Sequence, residues 1–225
     1  MPVRTSCRLV TAVAALSALS GWSCTSDSAT GDGQFQADVW ADNWFSPAVG
    51  DVTVGEDSVP ITTERSFNKE TFSFDGTYPL VLNFTVKDYK ENDTGLEYIG
   101  ESNQQMGDGG FIAQITDTST GSVVAVTNAN WKCLVIHRAP TNVECEDSAT
   151  PETDCLSEIT EEPSDWKSAD YDFSAWPSAI EYSETDVGVK DGYTEVSWDS
   201  SAKLIWSESL KQDNTLLCKL IVEAP

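Results

Sequence analysis

Phe35, Ala37, Val39 and Ala41 alternate with Gln36, Asp38 and Trp40. A period of two sends successive side chains to opposite faces of an extended chain, so this run reads as a strand with one face on a core. The pattern recurs. Residues 80–86 form a second run, and 111–116 and 122–127 a third and fourth, joined by the polar turn 117–121 into a hairpin. Residues 133–137, 193–198, 202–206 and 215–222 complete the set, and in the last Leu216, Cys218, Leu220 and Val222 share one face. No stretch carries a sustained helical period with caps. Short strands separated by Gly, Asp, Asn and Pro turns predict an all-β fold, an antiparallel β-sandwich or jelly roll. Eight Trp, eight Phe and six Tyr suit strands better than helices.

The formal net charge of −24 sets what such a domain can meet. A surface this acidic repels phosphate backbones and anionic membranes, which excludes nucleic acid as a partner. The N-terminus has the form of an export signal: Arg4 and Arg8, an apolar run over 9–19 too short to span a bilayer, then small residues. Cleavage after residue 23 would leave Cys24 first, ready for lipidation, although Trp22 departs from a lipoprotein box. Residues 24–33 then form a flexible polar tether. The expected product is secreted or envelope-anchored, has no transmembrane span, and folds as a single β-sandwich over 34–225.

Export implies oxidising surroundings, where cysteines pair by default. Cys133, Cys145, Cys155 and Cys218 permit three pairings. Cys145 and Cys155 lie close together in a Pro-, Asp- and Glu-rich stretch and are expected to staple a loop. Cys133 and Cys218, each in an apolar β-like run, would then pair across strands. One His and no Cys-x-x-Cys spacing argue against zinc. The acidic stretch 140–170, with Pro140, Pro151 and Pro163, reads as a long insertion across one end of the sandwich.

Three segments resemble the galactose-binding-like jelly-roll domains found as accessory modules of α-L-rhamnosidase-type glycosidases. Ala41-Asp42-Asn43-Trp44-Phe45 is similar to an "A-D-N-x-F" strand opening, although the Asn-Gly turn that usually follows is replaced by Gly50-Asp51. Gly109 to Asp117, with Gly121 and Asn130-Trp131-Lys132, is similar to a "G-G-x-x-A-x-x-x-D-x-x-G … W-K" hairpin. Asp170-Tyr171-Asp172-Phe173-Ser174-Ala175-Trp176 is similar to a "D-F-D-D-S-x-W" segment. The resemblance implies a galactose-binding-like sandwich, and its motifs are mainly structural.

Candidate chemistry concentrates in two stretches. Residues 88–97 pack oxygen donors into one loop, and Asp88, Asp93 and Glu97 are candidate ligands for a structural calcium, without EF-hand spacing. The same loop also reads as a solvated acidic turn. Residues 98–110 combine an aromatic, two amides, an acid and several glycines. Sugars lay apolar ring faces on aromatics and take hydrogen bonds from amides and carboxylates. Tyr98, Gln104, Gln105 and Asp108, with Trp44 as a second platform, are therefore the candidate carbohydrate contacts; the bland alternative is a glycine-rich connection. His137, the only histidine, follows an apolar strand and reads as a strand-end residue; no nucleophile elbow accompanies it. The expected function is a non-catalytic binding module for a glycan or polysaccharide. The alternatives are a surface domain that contacts a separate envelope protein, and, further off, a glycoside hydrolase.

Overall fold

The computed structural model describes residues 32–63 and 66–225. The expected signal peptide, Cys24 and most of the tether lie outside the described residues. Among the described residues the strands run β1 (Asp32–Asp42), β2 (Trp44–Val49), β3 (Val52–Thr53), β4 (Lys69–Thr77), β5 (Leu80–Lys87), β6 (Leu96–Glu97) and β7 (Gln105–Met106). They continue through β8 (Gly110–Asp117), β9 (Ser122–Val126), β10 (Lys132–Arg138), β11 (Glu158–Ile159), β12 (Ile180–Tyr182), β13 (Leu204–Trp206) and β14 (Asp213–Val222).

Two antiparallel sheets form the sandwich that the alternation predicts. The first has the order β12-β13-β8-β1-β4, with β9 added to β8; the second has the order β11-β10-β14-β5-β2-β3. Phe35, Ala37, Val39 and Ala41 of β1 all face inward, against Leu80, Leu82, Phe84 and Val86 of β5 and Leu216 and Cys218 of β14. Phe84 of the second sheet meets Phe111 of the first with ring centroids 4.9 Å apart, and Trp131 closes edge-on at 5.7 Å from Phe84. Each Val, Leu or Phe side chain buried here contributes about 1.5–3 kcal/mol.

The chain changes sheets at one place early on. β1 ends at Asp42 in the first sheet and β2 begins at Trp44 in the second, so Asp42 and Asn43 lie at the crossover between the layers. Pro47 sits inside β2 without breaking the ladder to β5. Its carbonyl accepts from Val54 N at 3.0 Å, on the β3 side, so the absent proline N–H also points to that short outer strand.

Both disulfides form, Cys145–Cys155 and Cys133–Cys218. Cys133 and Cys218 are register partners on β10 and β14, with Cα atoms 4.1 Å apart.

The acidic stretch does more than cross one end. Its stapled part docks on β7, where Met106 N donates to Glu146 Oε1 at 2.8 Å. Its second part and the residues that follow it to Trp176 lie along the outer face of the second sheet, packing Trp166, Tyr171, Phe173 and Trp176 on Leu134, Ile136 and Leu217. Lys219 is buried beneath it, and its ammonium donates to Asn83 Oδ1, Trp166 O and Ser168 O at 2.9–3.0 Å. Burial pushes the Lys219 ammonium down to about 8.

Two local expectations change. Residues 193–198 form no strand: Gly192 turns the chain at φ 83°, a 3₁₀ turn follows over Tyr193–Glu195, and Trp198 Nε1 donates to Tyr193 O. The aromatic alternation there serves packing on Trp40 and its neighbours instead. The alternation of Phe72 and Phe74 supplies β4, paired with β1 from Lys69 to Thr77.

Candidate cation and ligand site

Where the chain crosses between sheets, four segments bring carboxylates together. Asp42 ends β1. Asp88 follows β5, its amide held by Asn214 O at 3.0 Å. Glu97 lies in β6, and Asp108 precedes β8, where Gly109 N donates to Leu210 O at 2.8 Å. Asp42, Asp88 and Glu97 are buried, whereas the Asp108 side chain is 44% exposed.

Asp88 is the unusual member. Neither of its carboxylate oxygens has a hydrogen-bond partner, although both are shut away from solvent. The neighbouring Tyr89 amide donates instead to Asn43 Oδ1. Gly107 passes directly against the Asp88 carboxylate, and a Cβ at position 107 would collide with both oxygens. A buried polar atom left unpaired costs about 1–3 kcal/mol, and more when charged.

The electrostatics follow. Burial pushes Asp88 well above the usual carboxylate range, and the charges of Asp42, Glu97 and Asp108 push it further, against a small pull from the Tyr89 amide. Asp42 is pushed up to about 8, first by burial, with Lys190 opposing and Asp108 and Glu97 adding. Burial also raises Asp108, against Lys190 and Lys211. Lys190 is the visible counter-charge. Its ammonium stands 3.5 Å from Asp42 Oδ2, 3.8 Å from Asp108 Oδ1 and 4.1 Å over the Phe67 ring, and none of these contacts reaches Asp88.

An all-oxygen donor set of several carboxylates suits a hard cation of the calcium class, which takes six to eight oxygens. The orphaned Asp88 and the space kept by Gly107 fit that group. Among the described residues no three acidic, His or Cys side chains stand close enough together to hold a metal ion, so a cation would have to draw the carboxylates inward.

Two of the three calcium candidates, Asp88 and Glu97, belong to this group. Asp93 does not: its side chain is 68% exposed and pairs with Lys90 at 2.8 Å. Asp42 was not among the candidate ligands read from the sequence, and Asp108 was a candidate for sugar contact only. The local signal at Asp42 is an acid followed by Asn where a strand ends; its distance in sequence from the 88–97 loop hides the connection.

The five carbohydrate candidates are dispersed. Trp44 is half-buried on β2, cross-strand from Lys87, whose ammonium lies 4.9 Å over the indole ring. Tyr98 is half-buried at φ 53°. Gln104 accepts from Gly100 N at 2.8 Å and donates to Glu146 O at 2.6 Å and Ser148 O at 2.9 Å, docking the stapled loop. Gln105 donates to Glu97 Oε2 at 3.1 Å, and Asp108 joins the carboxylates. A separate cleft of about 480 Å³ opens beside Asp88, and none of the five lines it.

No family model, no curated protein and no solved structure matches this chain. The reading of the site therefore stands on its own geometry.

Proposed function

We propose that this chain is an exported, non-catalytic binding module for carbohydrate, in which a calcium-class cation organises the end of the sandwich where Asp42, Asp88, Glu97 and Asp108 meet. The observation that carries the reading is Asp88, a fully buried carboxylate with no partner on either oxygen, aimed into a group of three other acids. A fold does not leave such a group unpaired without a cost that a bound cation would offset.

In this reading Asp88 and Asp42 hold the cation from the two strands that meet at the crossover, and Glu97 and Asp108 approach it from the β6–β7 hairpin and the entry to β8. The cation supplies positive charge that lets the carboxylates ionise, and so ties the hairpin to the sandwich. Gly107 keeps the approach open. Trp44 retains exposed surface for a ligand, whereas the Gln104 amide is occupied in holding the stapled loop. The two disulfides fit folding in an oxidising compartment. Among the described residues no helix is long and apolar enough to cross a membrane.

The test is calorimetric titration with a panel of neutral polysaccharides, run once with calcium and once with chelator. Binding that weakens on chelation is the expected result. The absence of binding to every polysaccharide, in both conditions, contradicts the carbohydrate reading.

A further inference from the structure

Asp88 apart, the cleft is lined by residues the cation reading does not use. It opens on the outer face of the second sheet, past the end of the aromatic cover laid down by Trp166 and Trp176. Its volume of about 480 Å³ falls in the range of about 300–1,000 Å³ typical of small-molecule sites. Thr62, Thr85, Thr160 and Thr215 line it, with Ile136 and Ile159 as apolar wall, and Lys87, Lys90, Glu91 and Glu162 add opposite charges that can donate to or accept from hydroxyls. At its floor lies His137, which is buried and has no hydrogen-bond partner on either ring nitrogen. Asp93 Oδ1 stands 3.6 Å from Nε2, beyond hydrogen bonding.

Burial and the nearby Lys90 hold the imidazole down to about 4, so it is neutral at neutral pH. A neutral imidazole offers one N–H donor and one bare acceptor nitrogen, and a threonine hydroxyl both donates and accepts. The matching ligand is one whose groups also do both, a ring of neutral hydroxyls. Trp44 stands at the edge of the same face, cross-strand from the cleft residue Lys87, with its indole half-exposed. An apolar sugar face can lie on such a ring.

We infer that the sugar seat is this cleft, with Thr85, Thr160 and His137 meeting hydroxyls and Trp44 flanking the ring, rather than the 98–108 loop. The inference rests on the carbohydrate reading and locates it.

The experiment titrates calcium-loaded protein with neutral methyl glycosides of galacto, gluco, manno and 6-deoxy configuration, followed by calorimetry and by ¹H–¹⁵N spectra. Four proteins are compared: wild type, Thr85→Val with Thr160→Val, Trp44→Ala, and Tyr98→Ala. The threonine pair changes little in shape, and Thr160 is exposed, so folding is retained and is confirmed by the spectra. The expected result is a loss of about tenfold or more in affinity for the threonine and Trp44 variants, since a lost hydrogen bond is worth up to about tenfold and a lost aromatic platform a similar factor. The Tyr98→Ala variant should bind as wild type. Binding lost in that variant but kept in the threonine variant overturns the cleft and leaves the carbohydrate reading standing. No glycoside bound by wild type, together with no polysaccharide bound, overturns both.

Discussion

Asp88 and Asp213 are both buried aspartates at the same end of the sandwich, one after β5 and the other at the start of its partner strand β14. Asp213 is fully engaged. The Arg138 guanidinium grips both its oxygens, at 2.5 and 3.2 Å, and Ser207 Oγ and Ser209 N donate to Oδ2 at 2.6 and 3.3 Å. Asp88 has none of this. The two residues separate a carboxylate used to hold the fold from one held ready for something that the fold does not supply. A buried anion in a folded chain needs charge or hydrogen bonds brought to it. Where the protein brings them, the group is an anchor; where it brings only more carboxylates, a cation is the partner we propose.

Substitution should separate the two aspartates. Asp213→Ala removes the anchor from Arg138, Ser207 and Ser209, and should cost about 3 kcal/mol in urea unfolding, equally with calcium and with chelator. A loss that calcium reverses would place Asp213 in the cation site and erase the contrast. Asp88→Asn should do the opposite. In chelator it replaces a carboxyl that burial and three neighbouring acids already hold protonated, and should leave stability unchanged or raise it by about 1 kcal/mol, while abolishing any stabilisation by calcium. A loss of several kcal/mol in chelator would make Asp88 a second anchor.

The pH dependence sharpens the comparison further. Asp42 has a folded value raised to about 8 against an ordinary value of 3.8. The folded state therefore holds a proton that the unfolded chain releases, and the stability this confers is complete below about pH 4 and lost as pH rises towards 8. Asp88 is shifted in the same direction. Chelated protein should therefore melt at falling temperature from pH 5 to 8, and calcium, which favours the ionised carboxylates, should flatten that slope. The smallest effect belongs to Asp93→Asn. This exposed residue, outside the carboxylate group, should change stability by no more than about 0.5 kcal/mol and leave calcium binding as it was. A clear loss of calcium binding in Asp93→Asn would return the site to the 88–97 loop.

How much of this was legible in the sequence differs between fold and site. Period-two alternation is a local signal, so the strands around Phe35, Leu80, Phe111 and Leu216 could be read directly, and with them the sandwich. Residues 193–198 form no strand because aromatics that alternate along a strand can also pack around a turn, as Tyr193 does edge-on to Trp40 and Trp198 does against Tyr193. β4 escaped notice although Phe72 and Phe74 carry the same alternation, because Asp and Gly at its end resemble a turn. The disulfides followed from spacing and from the apolar company of Cys133 and Cys218. For the site, Asp88 and Glu97 share one loop and announced themselves together. Asp42 and Asp108 arrive by the register of β1 with β8 and by the crossover into β2, which no local pattern encodes. The occupation of Gln104 by the Glu146 and Ser148 carbonyls was equally invisible, since it depends on where the stapled loop lands.

The most direct test of the central claim is a calorimetric titration of calcium into chelator-treated protein at pH 7, wild type beside Asp88→Asn. One calcium per chain bound by wild type, and none by Asp88→Asn with its fold intact, is the predicted result. Calcium binding of equal strength in both proteins, or in neither, would contradict it.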